Sequence, residues 1–402
     1  MIALPRELPP TAGLPLQASD FLPGWSELSV VLGRQLGTPA LQLTCSGTAA
    51  LLIALRTLRQ RAPQRDTVVV PAYTCPLVAI AVHAAGLRVQ LCDTRPGHFD
   101  MDPDALRAAC SERTLAVLPT HLGGRVADVD TAVSIAREVG AWVIEDAAQA
   151  LGARLGDHSV GLRGDIGFFS LAAGKGLSLF EGGLLVCTDP DLRAALRATA
   201  SRVAPRDLRW ELRRCAELLG LALCYRPRLL PLVYGRPLRH ALQCNALEEA
   251  VGDVFALEVP QHRVSRWRQS VGARAARRLP AFQQAARERG LQLRARLQQL
   301  PGVTVLADAP GTQGTWPLLM VRLPSQRARD AALATLWPAG LGVSRMFIHA
   351  LPDYAYLRGI VPAVATPQAQ DFAARMLTIG NSPWWTDADV DAILKGLAPQ
   401  KW

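Results

Sequence analysis

The chain has 402 residues, half of them apolar, so it can bury a large core, and its length suggests two or three domains. Its net charge of +10 would suit a nucleic-acid partner, but the arginines are spread through apolar, periodic segments without a dense basic run. The composition therefore predicts an ordinary globular protein, with nucleic-acid binding left as a minor alternative.

The eight cysteines and the N-terminus indicate the cellular compartment in which the protein is expected. The cysteines are scattered, with no CxxC pair and no Cys/His cluster of zinc spacing, which argues against a metal site and indicates reduced thiols in the core. The stretch MIALPRELPP has no basic region followed by a long apolar one, so no cleaved leader is expected. We expect a cytoplasmic protein without a bound metal.

The first forty residues give weak signals, a short helix over Trp25–Leu36 among them, and we assign residues 1–40 to an N-terminal arm. The run LQLTCSGTAALLIALRTL follows, in which a strand turns into a helix at Gly47-Thr48. Backbone N–H groups and the positive end of the helix dipole make such a turn a fitting site for a phosphate ester. A plain turn with Ser or Thr as the helix cap explains the same residues.

Short apolar runs then alternate with helical segments. Strands are predicted at 67–71, 88–93, 114–119 and 141–146, with helices at 77–85, 104–110 and 129–139 between them. This alternation predicts a mainly parallel sheet covered on both faces, which binds ligands at the carboxyl ends of its strands. Candidate polar groups follow those ends: Tyr73, His121, Asp146 and Gln149.

Lysine is scarce in this arginine-rich chain. Only Lys175, Lys395 and Lys401 occur, and Lys175 lies in a Gly-rich stretch between two predicted antiparallel strands, 166–171 and 183–187. Arginine cannot lose its proton to attack a carbonyl, whereas a partly desolvated lysine can. Composition bias alone would also leave a few lysines, so the residue needs partners before a role is assigned.

Residues 205–245 form a helix-rich segment punctuated by prolines, with an apolar run too short to cross a bilayer. Packing inside the protein or at a dimer interface is one interpretation, and peripheral membrane contact through a basic amphipathic helix is the other. From residue 246 we predict long helices up to Leu300. An α+β C-terminal domain, 246–402, then has strands near 303–306, 317–323 and 342–348 and helices at 327–336 and 386–397.

A set of groups in a fixed order favours pyridoxal phosphate as cofactor. The set comprises Gly47, Thr48, Asp146, Gln149, Ser170 and Lys175. A lysine can form an imine with the cofactor aldehyde, a carboxylate can keep the pyridine nitrogen protonated, and a helix N-terminus can hold the phosphate. Asp146 could instead be the N-cap of a helix, which would explain the residue without a cofactor.

Five runs carry a resemblance to a known family: LTCSGTAALLIAL, VVVPAYTCPLVAIA, VIEDAAQALGA, GDIGFFSLAAGKGLSLFEGGLLV and MLTIGNSPWWTDADVDAIL. Together they resemble the DegT/StrS sugar aminotransferases, which are fold type I pyridoxal phosphate enzymes. The resemblance is strong from about residue 40 to 190 and absent over 205–245. It implies an α/β fold with a mainly parallel seven-stranded sheet flanked by helices in a large domain, 41–245, and a smaller α+β C-terminal domain.

The resemblance also implies residue roles. Lys175 would be the Schiff-base lysine and proton shuttle, Asp146 the partner of the pyridinium, and Gln149 a contact of the ring hydroxyl. Phosphate would be bound by Gly47, Thr48 and Ser170.

Other positions depart from the family pattern or match it loosely. The family commonly has a ring-stacking aromatic where this chain has Cys75, so Tyr73 is the candidate for the ring face. His121 is either a substrate or cofactor contact or a satisfied core histidine. Arg345, His349 and Tyr354 are candidates for substrate contact.

The implied reaction is a transamination from an amino acid, expected to be L-glutamate, to a keto sugar carried on a nucleotide, by a homodimer. Two alternatives stay open. One is a sugar dehydratase-like relative that keeps lysine, and the other is an inactive binding homologue that docks through residues 205–245.

Overall fold

The computed structural model describes residues 6–38 and 41–398. Residues 1–5 and 39–40 of the predicted arm, and 399–402 of the predicted C-terminal domain, lie outside the described residues. In chain order the strands are β1 (Leu41–Thr44), β2 (Thr67–Pro71), β3 (Arg88–Cys92), β4 (Thr114–Val117), β5 (Trp142–Asp146), β6 (Arg154–Leu155), β7 (His158–Ser159), β8 (Ile166–Ser170), β9 (Gly183–Val186), β10 (Thr304–Val305), β11 (Thr312–Gln313), β12 (Leu318–Arg322), β13 (Val343–Ser344) and β14 (Met376–Gly380).

The α-helices are α1 (Leu28–Leu36), α2 (Gly47–Arg61), α3 (Pro76–Ala84), α4 (Pro103–Ala109), α5 (Val129–Glu138), α6 (Pro190–Val203), α7 (Leu208–Cys224), α8 (Arg236–Gln243), α9 (Leu247–Val251), α10 (Arg266–Ala276), α11 (Leu279–Leu297), α12 (Gln326–Leu336), α13 (Pro367–Arg375) and α14 (Asp387–Leu397). Many begin where the sequence supplies a polar cap whose side chain accepts a first-turn N–H. Such caps are Ser46, Asp102, Asp128, Asp189, Asp207, Ser265, Ser325 and Thr386.

The main sheet has seven strands in the order β1-β9-β8-β5-β4-β2-β3. Strands β3, β2, β4, β5 and β8 are paired in parallel, and β9 is antiparallel to both β8 and β1. All five strands of the parallel part are buried apolar runs or nearly so, as expected for a sheet covered on both faces. The predicted fold, with a mainly parallel seven-stranded sheet, is confirmed.

The C-terminal part holds a four-stranded antiparallel sheet in the order β10-β12-β14-β13. Strand β14, which lies between β12 and β13, was not predicted. The predicted strand over 342–348 was wrong beyond Ser344, because the chain leaves the sheet there. The N–H of Phe347 donates to the Tyr73 hydroxyl (3.3 Å), and that of Ile348 donates to Asp253 (2.8 Å).

Two other predicted elements differ from the structure. Helix α1 begins at Leu28 rather than Trp25. The predicted long helices from residue 246 are interrupted, because Gly252 ends α9 with a left-handed φ of 76° and the chain carries no helix again until α10. A further small sheet, β11-β6-β7, joins residues for which no strand was predicted.

Helix α10 follows the predicted boundary at residue 246 but shares a core with the main sheet. Its Val271 and Ala273 pack in one cluster with Leu32 of α1 and with Phe169 and Leu184 of the sheet. The domain limits at residues 40 and 246 stay predictions. Among the described residues, no helix combines the length and apolarity that crossing a bilayer requires.

Candidate active site

A cavity of about 390 Å³ opens where the parallel strands end, next to the start of α2 and the loop after β8. Most of the residues proposed from the sequence line it. They are Gly47, Thr48, Asp146, Gln149, Ser170, Lys175 and Arg345. The carboxyl ends of the strands meet at one edge of a parallel sheet, which explains how residues more than a hundred positions apart reach one cavity.

The start of α2 presents backbone donors to this cavity. Ser46 caps the helix by accepting the N–H of Ala49 (3.0 Å), and the earlier N–H groups of Gly47 and Thr48 have no acceptor within the helix. A Cβ on Gly47 would stand 3.1 Å from the Cβ of Ser170. Glycine therefore allows α2 to approach the end of β8 closely, which forms a cradle for an anion.

Asp146 ends β5 and is 4% exposed. One carboxylate oxygen, Oδ1, accepts the N–H of Ala148 (3.0 Å), and the other makes no hydrogen bond within the described residues. Burial raises the pKa of Asp146, whereas the Ala148 hydrogen bond and the positive charge of Lys175 act in the opposite direction. The site thus holds a carboxylate with one oxygen open to a ligand.

Lys175 lies on the loop between β8 and β9, as predicted, and its side chain is partly buried. Burial lowers the pKa of its amine, and the negative charge of the Asp146 carboxylate opposes that shift. A lowered amine pKa increases the neutral, nucleophilic fraction at a given pH.

The N-terminal arm holds the Lys175 loop on both sides of the lysine. The Thr11 hydroxyl donates to the carbonyl of Gly174 (2.7 Å), and the N–H of Leu14 donates to the carbonyl of Gly176 (2.9 Å). The loop is therefore fixed by residues that gave no clear signal in the sequence.

Gln149 is oriented by a backbone donor. The N–H of Gly123 donates to its Oε1 (2.8 Å), so the Nε2 group is left to donate into the cavity. This arrangement suits a hydrogen bond to an oxygen of a bound ligand.

His121 does not line the cavity, although its backbone pairs with Asp146. Its Nδ1 accepts the N–H of Ala127 (3.0 Å), so the proton lies on Nε2, which donates to Glu145 (3.0 Å). Both ring nitrogens are occupied and the residue is 1% exposed. The interpretation of His121 as a satisfied core histidine is the one the structure favours over a substrate contact.

Glu145, next to Asp146, faces the other way. It accepts hydrogen bonds from His121 and from the backbone N–H groups of Gly161, Arg163 and Gly164. Burial alone would raise the pKa of Glu145, but these hydrogen bonds outweigh it and hold the pKa below its ordinary value. The two acids that end β5 therefore have different roles, because neighbouring strand residues point to opposite faces.

Tyr73 does not provide a ring face in the cavity, which corrects the prediction. Its ring packs edge-on against Phe347 and Phe372, and its hydroxyl donates to the carbonyl of Phe347 (3.2 Å). Cys75, at the position where an aromatic was expected, does line the cavity, and burial raises the pKa of its thiol to about 12.

The three candidates for substrate contact separate in space. Arg345 lines the cavity, with Nη2 donating to the carbonyl of Ala373 (3.0 Å) and its buried Nε without a partner in the described part of the chain. His349 lies outside the cavity, with Nε2 3.4 Å from Glu248. Tyr354 is buried, and its hydroxyl donates to Asp253. Only Arg345 is placed to contact a ligand.

No motif predicted that the segment after residue 245 enters the site. Asp253 and Phe255 line the cavity, as does Tyr234 of the preceding helical segment. Burial raises the pKa of Asp253 to about 6, although hydrogen bonds from Tyr354 and Ile348 oppose the shift. The left-handed Gly252, which turns the chain here, was the one local signal available.

Comparison with known proteins finds a family that matches most of this chain. The sequence profile of the DegT/DnrJ/EryC1/StrS aminotransferase family matches residues 27–213 and 260–398. The chain is 27% identical to dTDP-3-amino-3,4,6-trideoxy-alpha-D-glucose transaminase of Streptomyces venezuelae, over 84% of this chain and 76% of that protein.

Two further proteins illustrate the range of the likeness. The chain is 39% identical to UDP-N-acetyl-3-dehydro-alpha-D-glucosamine 3-aminotransferase of Acidithiobacillus ferrooxidans, but over 38% of this chain and 41% of that protein. The crystal structure of the sugar aminotransferase CalS13 from Micromonospora echinospora has a TM-score of 0.72 and 20% identity, covering 98% of this chain and 99% of that one. At this identity, the structural likeness shows the fold.

Proposed function

The chain belongs to the DegT/DnrJ/EryC1/StrS aminotransferase family, whose enzymes use pyridoxal phosphate, and we propose that it transfers an amino group from L-glutamate to a keto sugar linked to a nucleotide. The observation that carries the proposal is the convergence of an anion cradle, a buried carboxylate and a partly buried lysine in one cavity. Two relatives whose names specify nucleotide-sugar transamination support the acceptor class.

The residues present fit the cofactor. The N–H groups of Gly47 and Thr48, with the Ser170 hydroxyl beside them, would hold the phosphate at the positive end of α2. The open oxygen of Asp146 would accept a hydrogen bond from the protonated ring nitrogen, and the Gln149 amide would donate to the ring hydroxyl. Lys175 is the amine within the same cavity.

Pyridoxal phosphate, when bound, withdraws electrons from the carbon that carries the substrate amine. Lys175 holds and moves the proton at its Nζ, and its lowered pKa keeps part of the amine neutral and able to accept that proton. Asp146 would place a negative charge near the ring nitrogen of a bound cofactor, and the Ala148 N–H, which donates to Oδ1, would stabilise that charge.

Arg345 is the cation we assign to the donor carboxylate. Its Nε and Nη1 make no hydrogen bond within the described residues, while Nη2 is fixed by the carbonyls of Ile348 and Ala373. The remaining N–H groups, on Nε and Nη1, can each donate a single charge-assisted hydrogen bond to a carboxylate oxygen. The cation would therefore favour an amino donor that carries a carboxylate.

We also propose a homodimer in the cytoplasm. The eight cysteines are all free, which is the state that a reducing compartment maintains. Light scattering of the purified protein is expected to give the mass of two chains.

The test combines a spectrum with a substrate screen. The purified protein is expected to carry a cofactor absorbance band near the visible edge, to lose it on addition of L-glutamate, and to release 2-oxoglutarate continuously only when a keto-sugar nucleotide is supplied. Lys175→Ala should abolish turnover, whereas Lys395→Ala on the exposed face of α14 should not. A protein that takes up no pyridoxal phosphate, or that turns over equally well without Lys175, would contradict the proposal.

A further inference from the structure

The helical segment 208–233 exposes an apolar surface that the family comparison does not explain. Among the described residues, fifteen large apolar side chains are exposed, and seven of them fall in this segment. We call them the insert face: Leu208, Leu212, Leu219, Leu223, Leu229, Leu232 and Val233. The family profile does not match residues 214–259, so most of this surface belongs to a part of the chain outside the shared fold.

Four of these leucines form one stripe along α7. Leu208, Leu212, Leu219 and Leu223 fall within an arc of about 60° at 100° per residue, and α7 is 17 residues long. Leu208 is 74% exposed and Leu223 66%. A stripe of four large exposed leucines along one side of a helix is unusual on a surface without a partner.

The opposite side of α7 is fixed to the protein. Glu211 forms a two-bonded ion pair with Arg268, which is fully buried (2.6 Å for each bond), and the Trp210 indole donates to Glu181 (3.1 Å). Leu218 is fully buried in the core. The helix is therefore held with its leucine stripe outward, and the stripe cannot turn inward without leaving Arg268 unpaired.

The exposed charges around the insert face are predominantly positive. Six arginines of this region are exposed, while Asp207, the cap of α7, is its one exposed acid among the described residues. The arginines are Arg206, Arg209, Arg213, Arg226, Arg228 and Arg236. Apolar residues bordered by arginines match the surface of an anionic bilayer, where leucines enter the interface and guanidinium groups pair with lipid phosphates.

A second copy of the chain fits this surface less well. A two-fold interface through the insert face would bring the same arginines of both copies together, because such an interface uses the same patch twice. Like charges facing each other oppose association. The charge pattern therefore favours an anionic membrane over a second copy of the chain as the partner of this surface.

We propose that the insert face binds the surface of an anionic membrane. The segment lies on the bilayer and does not cross it. Tyr234, which follows Val233 of the insert face, lines the catalytic cavity. The hydroxyl of Tyr225 at the end of α7 also accepts the N–H of Gly13, beside the Lys175 loop (3.2 Å). Membrane binding would therefore place the cavity near the bilayer. The proposal does not depend on which substrates the enzyme uses.

The test is flotation of the full chain with vesicles of phosphatidylcholine alone or mixed with phosphatidylglycerol. Binding is expected to the mixed vesicles, to fall with added salt, and to drop about tenfold or more in Leu212→Ser/Leu219→Ser/Leu223→Ser. Arg209→Gln/Arg228→Gln/Arg236→Gln should weaken binding to the mixed vesicles about 100-fold, at roughly fivefold for each arginine.

Matched controls use exposed residues elsewhere. Leu22→Ser/Leu291→Ser/Val364→Ser removes comparable apolar surface, and Arg61→Gln/Arg327→Gln/Arg358→Gln removes the same charge. Both should bind vesicles as the parent does. The proposal is overturned if the parent floats with neither vesicle type, or if the control and insert variants lose binding equally. It is also overturned if the leucine variant halves the solution mass without changing flotation, which would make the face an interface between two copies.

Discussion

The carboxylate of Asp146 and the amine of Lys175 lie in the same cavity, and each shifts the pKa of the other towards the charged form. Burial disfavours the charged form of each group, and the attraction between the two charges opposes that effect. Removing one member therefore changes the protonation of the other.

Asp146→Asn is the first prediction. The amide keeps the shape but not the charge, so we expect turnover to fall about 100- to 1000-fold while the protein stays folded. The pKa of Lys175 should also fall further, because an opposing negative charge is gone. Activity and the pH dependence of the cofactor absorbance measure the two effects. Asp104→Asn, at a 96% exposed side chain, is the control, and equal losses in both variants would count against the assigned role.

Cys75→Tyr is the second prediction. An aromatic ring at this cavity position would stack on the cofactor, and we expect cofactor dissociation to slow about three- to tenfold. Cys75→Ala removes the thiol without adding a ring and should not slow release. The measurement is loss of the absorbance band during dialysis. If tyrosine speeds release, the cavity lacks room for a ring beside Leu77 and Val78.

The third prediction concerns Asp253 and the stability of the fold. Its pKa is raised from 3.8 to about 6, so the folded state binds the proton more tightly than the unfolded state. This contribution is fully present below pH 4 and is lost as the pH rises to 6, by up to about 3 kcal/mol. Asp253→Asn cannot ionise.

Urea unfolding of the parent and of Asp253→Asn across this pH range measures the difference in unfolding free energy. The free energy of the parent is expected to decline relative to that of the variant between pH 4 and pH 6. Parallel curves would show that the carboxyl is not shielded in the folded protein.

Glu145→Ala is the fourth prediction. The change leaves four donors without their acceptor, the buried ones of His121 and Gly161 and the partly buried ones of Arg163 and Gly164. We expect a loss of about 3 to 5 kcal/mol in unfolding free energy. Glu138→Ala, at a 55% exposed side chain on α5, should change it little.

The pH dependence of Glu145 has the opposite sign to that of Asp253. Because its folded pKa is lowered, the stabilisation is present above the ordinary pKa of 4.5 and is lost as the pH falls through the folded value. Thermal unfolding should show the parent converging on Glu145→Ala in acid. A difference in unfolding temperature between parent and variant that stays constant with pH would mean that the Glu145 carboxylate is not the source of the stabilisation.

The sequence by itself determined the main sheet and the order of the cofactor groups. Strand runs such as TVVVP are buried on both faces, and the turn at Gly47 and the end of β5 at Asp146 follow from local residue types. A parallel sheet collects its strand ends at one edge, so the cavity at Lys175 could be foreseen.

Only the tertiary structure decided which side chains face that cavity. Tyr73 and Cys75 are two residues apart, yet Tyr73 is held by Phe347, a partner 274 positions away. From the sequence, His121 could be either a ligand contact or a core residue. In the structure its two ring nitrogens form hydrogen bonds with Ala127 and Glu145. Long-range hydrogen bonds of this kind leave no local pattern, because the partners meet only after folding.

The same limit applies to residues 208–255. Periodicity predicted helices there and left packing and membrane contact open. Which face of α7 is buried depends on Glu211 meeting Arg268, 57 positions later, and that ion pair leaves the leucine stripe outward. No local pattern predicted this orientation or the entry of Asp253 into the cavity, since both depend on contacts between segments far apart in the chain.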